Sequence, residues 1–462
     1  MKKIIAAIYI ACYAFTTFAV QPEFTIRTSS PAKFSSEVFG FMRKVFPNPQ
    51  AEMGVAMVFA QLGYPGFDGV SKSDSVSAAF FAGDKADRAF LVCMAADETS
   101  IFARQVKASG FKSKRFGKWL VAEVNSANIH NFEECAEYLV AEAEKKAVHD
   151  ISIKIDPLSI AKLPNLYANK NFEDIKAIFE QVESYEVTLD FMGDILKLRL
   201  EFAARSGSDL AKLFSMASNR NSVEIPELSM IPEDSFFVFW GSMNKSAMKS
   251  DILKSINSIV ANGNSGDILA SLSEKSKGTF AAALFMRGSN LKYLSLAGTS
   301  ASFDEIYKAT EVVLKNAFSA DAGVSLKLSK VDVDSIECGK IETIISPDTA
   351  FTTELFFVKD SYNIQASDEE VVKEISKMGG EKASFPFRNL KKKDWDMAGV
   401  FFADKLIGKS GNSQTVPALM SGRFIDRRFE LVSEIPYSSI KAVVDYVNAM
   451  EIPLGEKAVE MK

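Results

Sequence analysis

GDKADRAFLVCMAADETSIFARQVKASG, residues 83–110, is the stretch whose reading decides the fold. A turn at Gly83-Asp84 leads into the apolar strand Phe90–Met94. The acidic pair Asp97-Glu98 then reads as the cap of a helix that turns Ile101, Phe102 and Val106 inward. A second strand-like run, Ser77–Ala82, precedes it, so the unit is a β-hairpin followed by a helix. Cys93, inside Phe90-Leu91-Val92-Cys93-Met94, reads as a small buried apolar residue rather than a nucleophile.

The same syntax recurs four more times. Leu196, Leu198, Leu200 and Phe202 alternate with Lys197, Arg199 and Glu201 after a turn at Gly193-Asp194, the pattern of a strand with one buried face. Further on, Ser302 and Glu305 form a capping box ahead of a stripe of Ile306, Val313, Leu314 and Phe318. Ser367 and Glu370 read as another box before Val371, Val372, Ile375 and Met378. The last unit turns Phe429 and Leu431 inward on its strand, and Ile440, Val443, Val444 and Val447 on its helix. First strands of these hairpins are expected at 187–191, 280–286, 353–358 and 422–425. Leader strands are expected at 24–28, 151–155, 236–240 and 397–402.

The units pair into two halves. The expected division is a signal peptide at 1–19, a first α+β domain at 20–220, a linker at 221–235, a second α+β domain at 236–450 that duplicates the first, and a tail at 451–462. The repeat, roughly 210 residues, is too long for a solenoid of small units. A sheet with one apolar face and helices with one apolar stripe bury both by stacking in two layers. Hairpin connections make the sheet mainly antiparallel, so the fold class is α+β: two tandem two-layer domains with helices on one face.

MKKIIAAIYIACYAFTTFAVQPE opens the chain with Lys2 and Lys3, an apolar run and small residues up to Ala19. That is the syntax of a secretory leader. Lipidation at Cys12 and an uncleaved anchor over Ile4–Val20 are the weaker alternatives; no comparable apolar run follows, so no span is expected after cleavage. Formal net charge is −5, and more negative once Lys2 and Lys3 leave, which argues against nucleic acid. Lys391-Lys392-Lys393 is too short a run to reverse that. Cys93, Cys135 and Cys338 would remain, an odd number from which no disulfide framework follows, although two of them pairing is allowed in an exported chain.

Motifs for phosphate loops, dinucleotides, zinc proteases and serine esterases are absent, so no cofactor, metal or catalytic residue is assigned. Only His130 and His149 carry an imidazole. His130 precedes Asn131, which with Glu134 reads as a capping box; His149 sits with Asp150 between a helix end and a strand. Either ring would have to meet both a carboxylate and a hydroxyl to support hydrolysis. The S-x-x-K spacings at Ser30/Lys33, Ser242/Lys245 and Ser246/Lys249 are read as helix starts. Asp332, Asp334 and Glu337 are read as an acidic strand edge rather than a calcium site. The 37 phenylalanines include the pairs Phe80-Phe81, Phe236-Phe237, Phe356-Phe357 and Phe401-Phe402, which suit a core and would equally line an apolar pocket.

In its leader, its strands ending in Asp, Ser or Pro helix starts, and its tandem halves, the chain resembles exported bacterial proteins with tandem α+β halves and no established activity. The resemblance is one of layout and implies no mechanism. The expected function is an exported, non-enzymatic binding or scaffold protein that engages an envelope component. The alternatives are a periplasmic carrier of lipid or another apolar ligand, and a hydrolase with an unmarked active site.

Overall fold

The computed structural model describes residues 22–46, 49–60, 67–82, 88–125, 129, 131–160, 172–218, 225–250, 252–253, 265–317, 325–346, 349–377, 395–408 and 415–449. The leader with Cys12, the Gly83-Asp84 turn, His130, Phe318, Met378, Lys391-Lys392-Lys393 and the tail from 451 lie outside the described residues.

The first half contributes β1 Phe24–Thr28, β2 Val76–Ala82, β3 Arg88–Ala95, β4 Ser113–Phe116, β5 Trp119–Glu123, β6 Ile151–Ile155, β7 Val182–Met192 and β8 Ile195–Ala204. The second contributes β9 Phe237–Ser242, β10 Ser276–Arg287, β11 Asn290–Thr299, β12 Ser325–Val333, β13 Ile336–Ser346, β14 Thr349–Lys359, β15 Tyr362–Ala366, β16 Met397–Phe401, β17 Ala418–Ile425 and β18 Arg428–Pro436. Among the described residues these form one antiparallel sheet of 18 strands, so the fold is α+β.

The pairings run β4-β5-β3-β2-β1-β6-β7-β8 through the first half. The second half runs β14-β15-β11-β10-β9-β16-β17-β18, the same order position for position. The β12–β13 hairpin, added beyond β14, has no counterpart in the first half. The halves join where β8 pairs with β18, Arg199 opposite Val432, so one sheet runs continuously through both.

Helices lie on both faces of this sheet. One face is covered near its ends by the helix Phe132–Glu144, packed on Phe81, Leu91 and Cys93, and by Glu369–Lys377, whose Val371, Val372 and Ile375 pack on Leu294, Leu296 and Ile364. The opposite face receives Ile101–Ser109 on Met94 and Leu120, and Phe303–Ala317 on Ile341 and Phe356. At its centre the last helix of each half packs on the first helix of the other: Tyr437–Ala449 against Pro31–Val45, and Asp209–Ala217 against Lys245–Met248. Alternating strands bury both faces wherever helices reach them, a third layer beyond the expected two.

The helix starts follow local chemistry, with three corrections to the expected caps. Ser100, not Asp97, caps Ile101–Ser109 by accepting the Ala103 N–H at 3.1 Å; Asp97 holds the preceding turn, its Oδ1 accepting the Thr99 N–H and hydroxyl at 2.8 and 2.7 Å. Asp368 rather than Ser367 caps Glu369–Lys377, accepting from Glu370 and Val371 at 3.0 and 3.2 Å. Asn131 makes no side-chain cap. At Asp368 the carboxylate sits at the position next to the helix and one of its oxygens accepts two amides, so it takes the cap from the serine before it. Ser302 and Glu305 do form the reciprocal box, and Ser30 caps Pro31–Val45.

Of the segment read as a linker, residues 225–235 are docked on the second half. Leu228 and Ile231, three apart across the 3₁₀ turn Pro226–Met230, face the same way and are buried in its core.

Candidate functional site

The central strands carry a hollow on each face. On the face of the helix Tyr437–Ala449 lies an open cleft of about 400 Å³, floored by Phe237, Gly399, Ala418, Met420 and Ser433 and walled by Ile440, Val443 and Val444. Its lining is almost wholly apolar. The hydroxyls are those of Ser433 and Ser439, and Ser439 donates to the Val416 carbonyl at 2.6 Å.

The registers show how the cleft arises. Ile26 pairs with Ile153 and Ile153 with Val187, as Phe239 pairs with Gly399 and Gly399 with Met420. Val187 pairs with Leu200 as Met420 pairs with Ser433. Ile153, Tyr185 and Leu200 therefore stand where the second half has Gly399, Ala418 and Ser433. In the first half Tyr185 and Phe202 pack ring to ring, centroids 4.4 Å apart. The space above Gly399 is taken by Met420 and Phe239, which stand where the first half has Val187 and Ile26, so the cleft opens over the small residues Ala418 and Ser433.

The opposite face carries a polar basin of about 420 Å³ lined by Lys33, His149, Asp150, Thr188, Asp190, Lys197, Arg199 and Glu430, with Val148, Phe191, Met192 and Val432. His149 Nδ1 lies 2.8 Å from Asp190 Oδ2, and Asp190 Oδ1 accepts the Asp150 N–H at 3.0 Å. The Asp150 carboxylate is almost fully buried; it accepts from Lys33 Nζ at 2.7 Å and from the Phe191 N–H at 2.9 Å. Hydrogen bonding to Asp150 holds the Lys33 ammonium above its ordinary pKa. Along β8 and β18, Arg199 bridges Glu201 and Glu430 at 2.6 and 2.8 Å, and Glu430 also takes Arg423 at 2.7 Å.

The histidine bonds a carboxylate, and Thr188 supplies a hydroxyl to the same basin. Among the described residues the ring's hydrogen bond is to the carboxylate alone, so the hydroxyl that the hydrolase reading required does not meet it; sequence spacing could not pair His149 with Asp190, 41 residues away. The thiols are free and buried, with no bridge between Cys93, Cys135 and Cys338. Burial pushes the Cys93 thiol up to about 12 and those of Cys135 and Cys338 to about 11, which keeps them protonated. Among the described residues no group of three or more metal-ligating side chains converges; Asp334 pairs with Lys377, and Glu337 with Lys330. The phenylalanine pairs split across the sheet: Phe81 is buried under one helix layer while Phe80 stacks on Phe24 and Phe90 on the other face, and Phe237 and Phe401 reach the cleft. Among the described residues no helix is long and apolar enough to cross a membrane.

Comparison with known proteins finds no matching family model, no matching curated protein and no matching solved structure.

Proposed function

We propose that the chain is an exported binding protein of the cell envelope, built from two copies of one α+β unit, whose second copy holds an apolar ligand in the cleft under the helix Tyr437–Ala449. The observation that carries this is the substitution of Ala418 and Ser433 for Tyr185 and Leu200 at matching stations of one strand order. An open apolar hollow leaves Ile440, Val443 and Val444 facing water, and covering that surface is favourable. The lining offers almost nothing to a polar ligand, and its volume lies in the range of small-molecule sites. A hydrocarbon chain fits both facts, its polar end projecting from the open side. The leader, the acidic charge and the matched halves support the remaining parts of the reading.

The test is gentle purification from the native host followed by native mass spectrometry, with a fluorescent fatty acid titrated into delipidated protein. A retained lipid, or saturable binding of the probe in one site, is expected. A ligand-free protein that also leaves the probe's fluorescence unchanged would defeat the reading.

A further inference from the structure

The basin on the other face presents a second kind of chemistry. Asp150 and Asp396 stand at matching stations: their carbonyls accept the N–H of Ser29 and Ser242 at 3.0 and 2.8 Å, and their carboxylates accept the N–H of Phe191 and Phe424 at 2.9 and 2.6 Å. Two bonds of the joint between leader strand and hairpin thus match, but the third does not: the Asp150 N–H goes to the Asp190 carboxylate at 3.0 Å, where the Asp396 N–H goes to the Gly422 carbonyl at 3.0 Å. The neighbouring residues are not alike. Where the first half has His149 and Asp190, the second has Trp395 and Arg423, and Arg423 is tied to Glu430. In the first half Asp190 therefore serves the joint as well, while the imidazole on its other oxygen makes none of the joint's bonds.

We propose that His149 is a general base for the hydrolysis of small uncharged acyl esters, with Asp190 as its positioning residue. Asp190 accepts from Nδ1, which fixes the tautomer that leaves the Nε2 lone pair free to take a proton. The Asp150 N–H holds the other oxygen of that carboxylate, so the pair is anchored to backbone at 3.0 Å. In the reaction Nε2 removes a proton from water as the water oxygen bonds to the ester carbonyl carbon. The proton then passes from Nε2 to the alkoxide as the carbon–oxygen ester bond breaks, giving acid and alcohol. Lys33 and Lys197, at the rim, are the cations available to the developing oxyanion. Lys33, Lys197 and Arg199 are matched by Asp150, Asp190 and Glu430, so the basin has no excess positive charge to draw a phosphoryl group; an uncharged ester suits it.

The test uses 4-nitrophenyl acetate and butyrate with the mature protein, following nitrophenolate past one equivalent so that simple acylation of a lysine is excluded. Turnover is expected, with a loss of about a hundredfold or more in His149→Ala. Partial loss is expected in Asp190→Asn, and recovery of His149→Ala by added imidazole. Because free imidazole itself cleaves nitrophenyl esters, rescue is read as saturable rate above imidazole with heat-unfolded protein, which a merely structural histidine would not give, and thermal melts show whether each variant folds. If His149→Ala does not fold, His149→Gln and Asp190→Asn carry the same comparison. Absence of turnover on both esters, or equal rates in wild type and the histidine variants, overturns the proposal.

Discussion

Asp150 and Asp396 occupy the same station in the two halves, each a buried carboxylate accepting the backbone N–H of a hairpin phenylalanine, Phe191 at 2.9 Å and Phe424 at 2.6 Å. The bond ties the start of the leader strand to the hairpin beside it in each half.

Removing that acceptor leaves a buried N–H without a partner. Asp396→Ala is expected to lower unfolding free energy by about 1–3 kcal/mol, and Asp396→Asn by less because the amide oxygen still accepts. Urea denaturation of both variants is the measurement; equal losses would assign the effect to charge rather than to the hydrogen bond. Asp150→Asn should also cost little through Lys33, whose ammonium is more than half exposed.

Filling the cleft with the first half's own residues should abolish apolar binding without harming the fold. Ala418→Tyr with Ser433→Leu is expected to weaken a fluorescent fatty acid by about tenfold or more, since each excluded methylene forfeits about 0.8 kcal/mol of burial. Isothermal titration beside a thermal melt reads both quantities. Undiminished binding would place the ligand elsewhere.

Thiol chemistry should be silent in the folded protein. With Cys93 near 12 and Cys135 and Cys338 near 11, all buried, the thiolate fraction at pH 8 is small and access is blocked. Ellman's reagent is expected to react with none of the three until guanidinium is added. Rapid reaction of Cys93 in native protein would contradict its burial.

Glu305 should stay ionised below the pH at which an ordinary glutamate protonates. Its hydrogen bond from Lys275, followed by those from Ser302, lowers its carboxyl from an ordinary 4.5 to about 2. The folded value lies below the unfolded one, so its contribution to the Phe303–Ala317 helix is present above pH 4.5 and is lost as pH falls towards 2. Carboxyl chemical shifts followed against pH give the value directly, and Lys275→Ala should move it upward.

Much of the layout was legible before any coordinates. The leader strands at 24–28 and 151–155 agree with the observed ones residue for residue, because alternation and a following helix start leave little freedom. Cap identity was less legible: at Asp97/Ser100 and Ser367/Asp368 two competent oxygens stand close together, and backbone geometry selects between them. The cleft was not legible in the same way: Ala418 and Ser433 read as small residues at large stations only after β17 and β18 are laid register by register against β7 and β8.

By itself the sequence determined the strands, the helices, the hairpins that make the sheet antiparallel and the apolar stripes that cover it, since all of these follow from periodicities within some twenty neighbouring residues. Tertiary structure alone decided that β8 pairs with β18, that each half's last helix lies on the other's first, and that His149 meets Asp190. Those contacts join residues tens to hundreds of positions apart, and no local pattern distinguishes the strand edge or carboxylate that is met from the others of its kind.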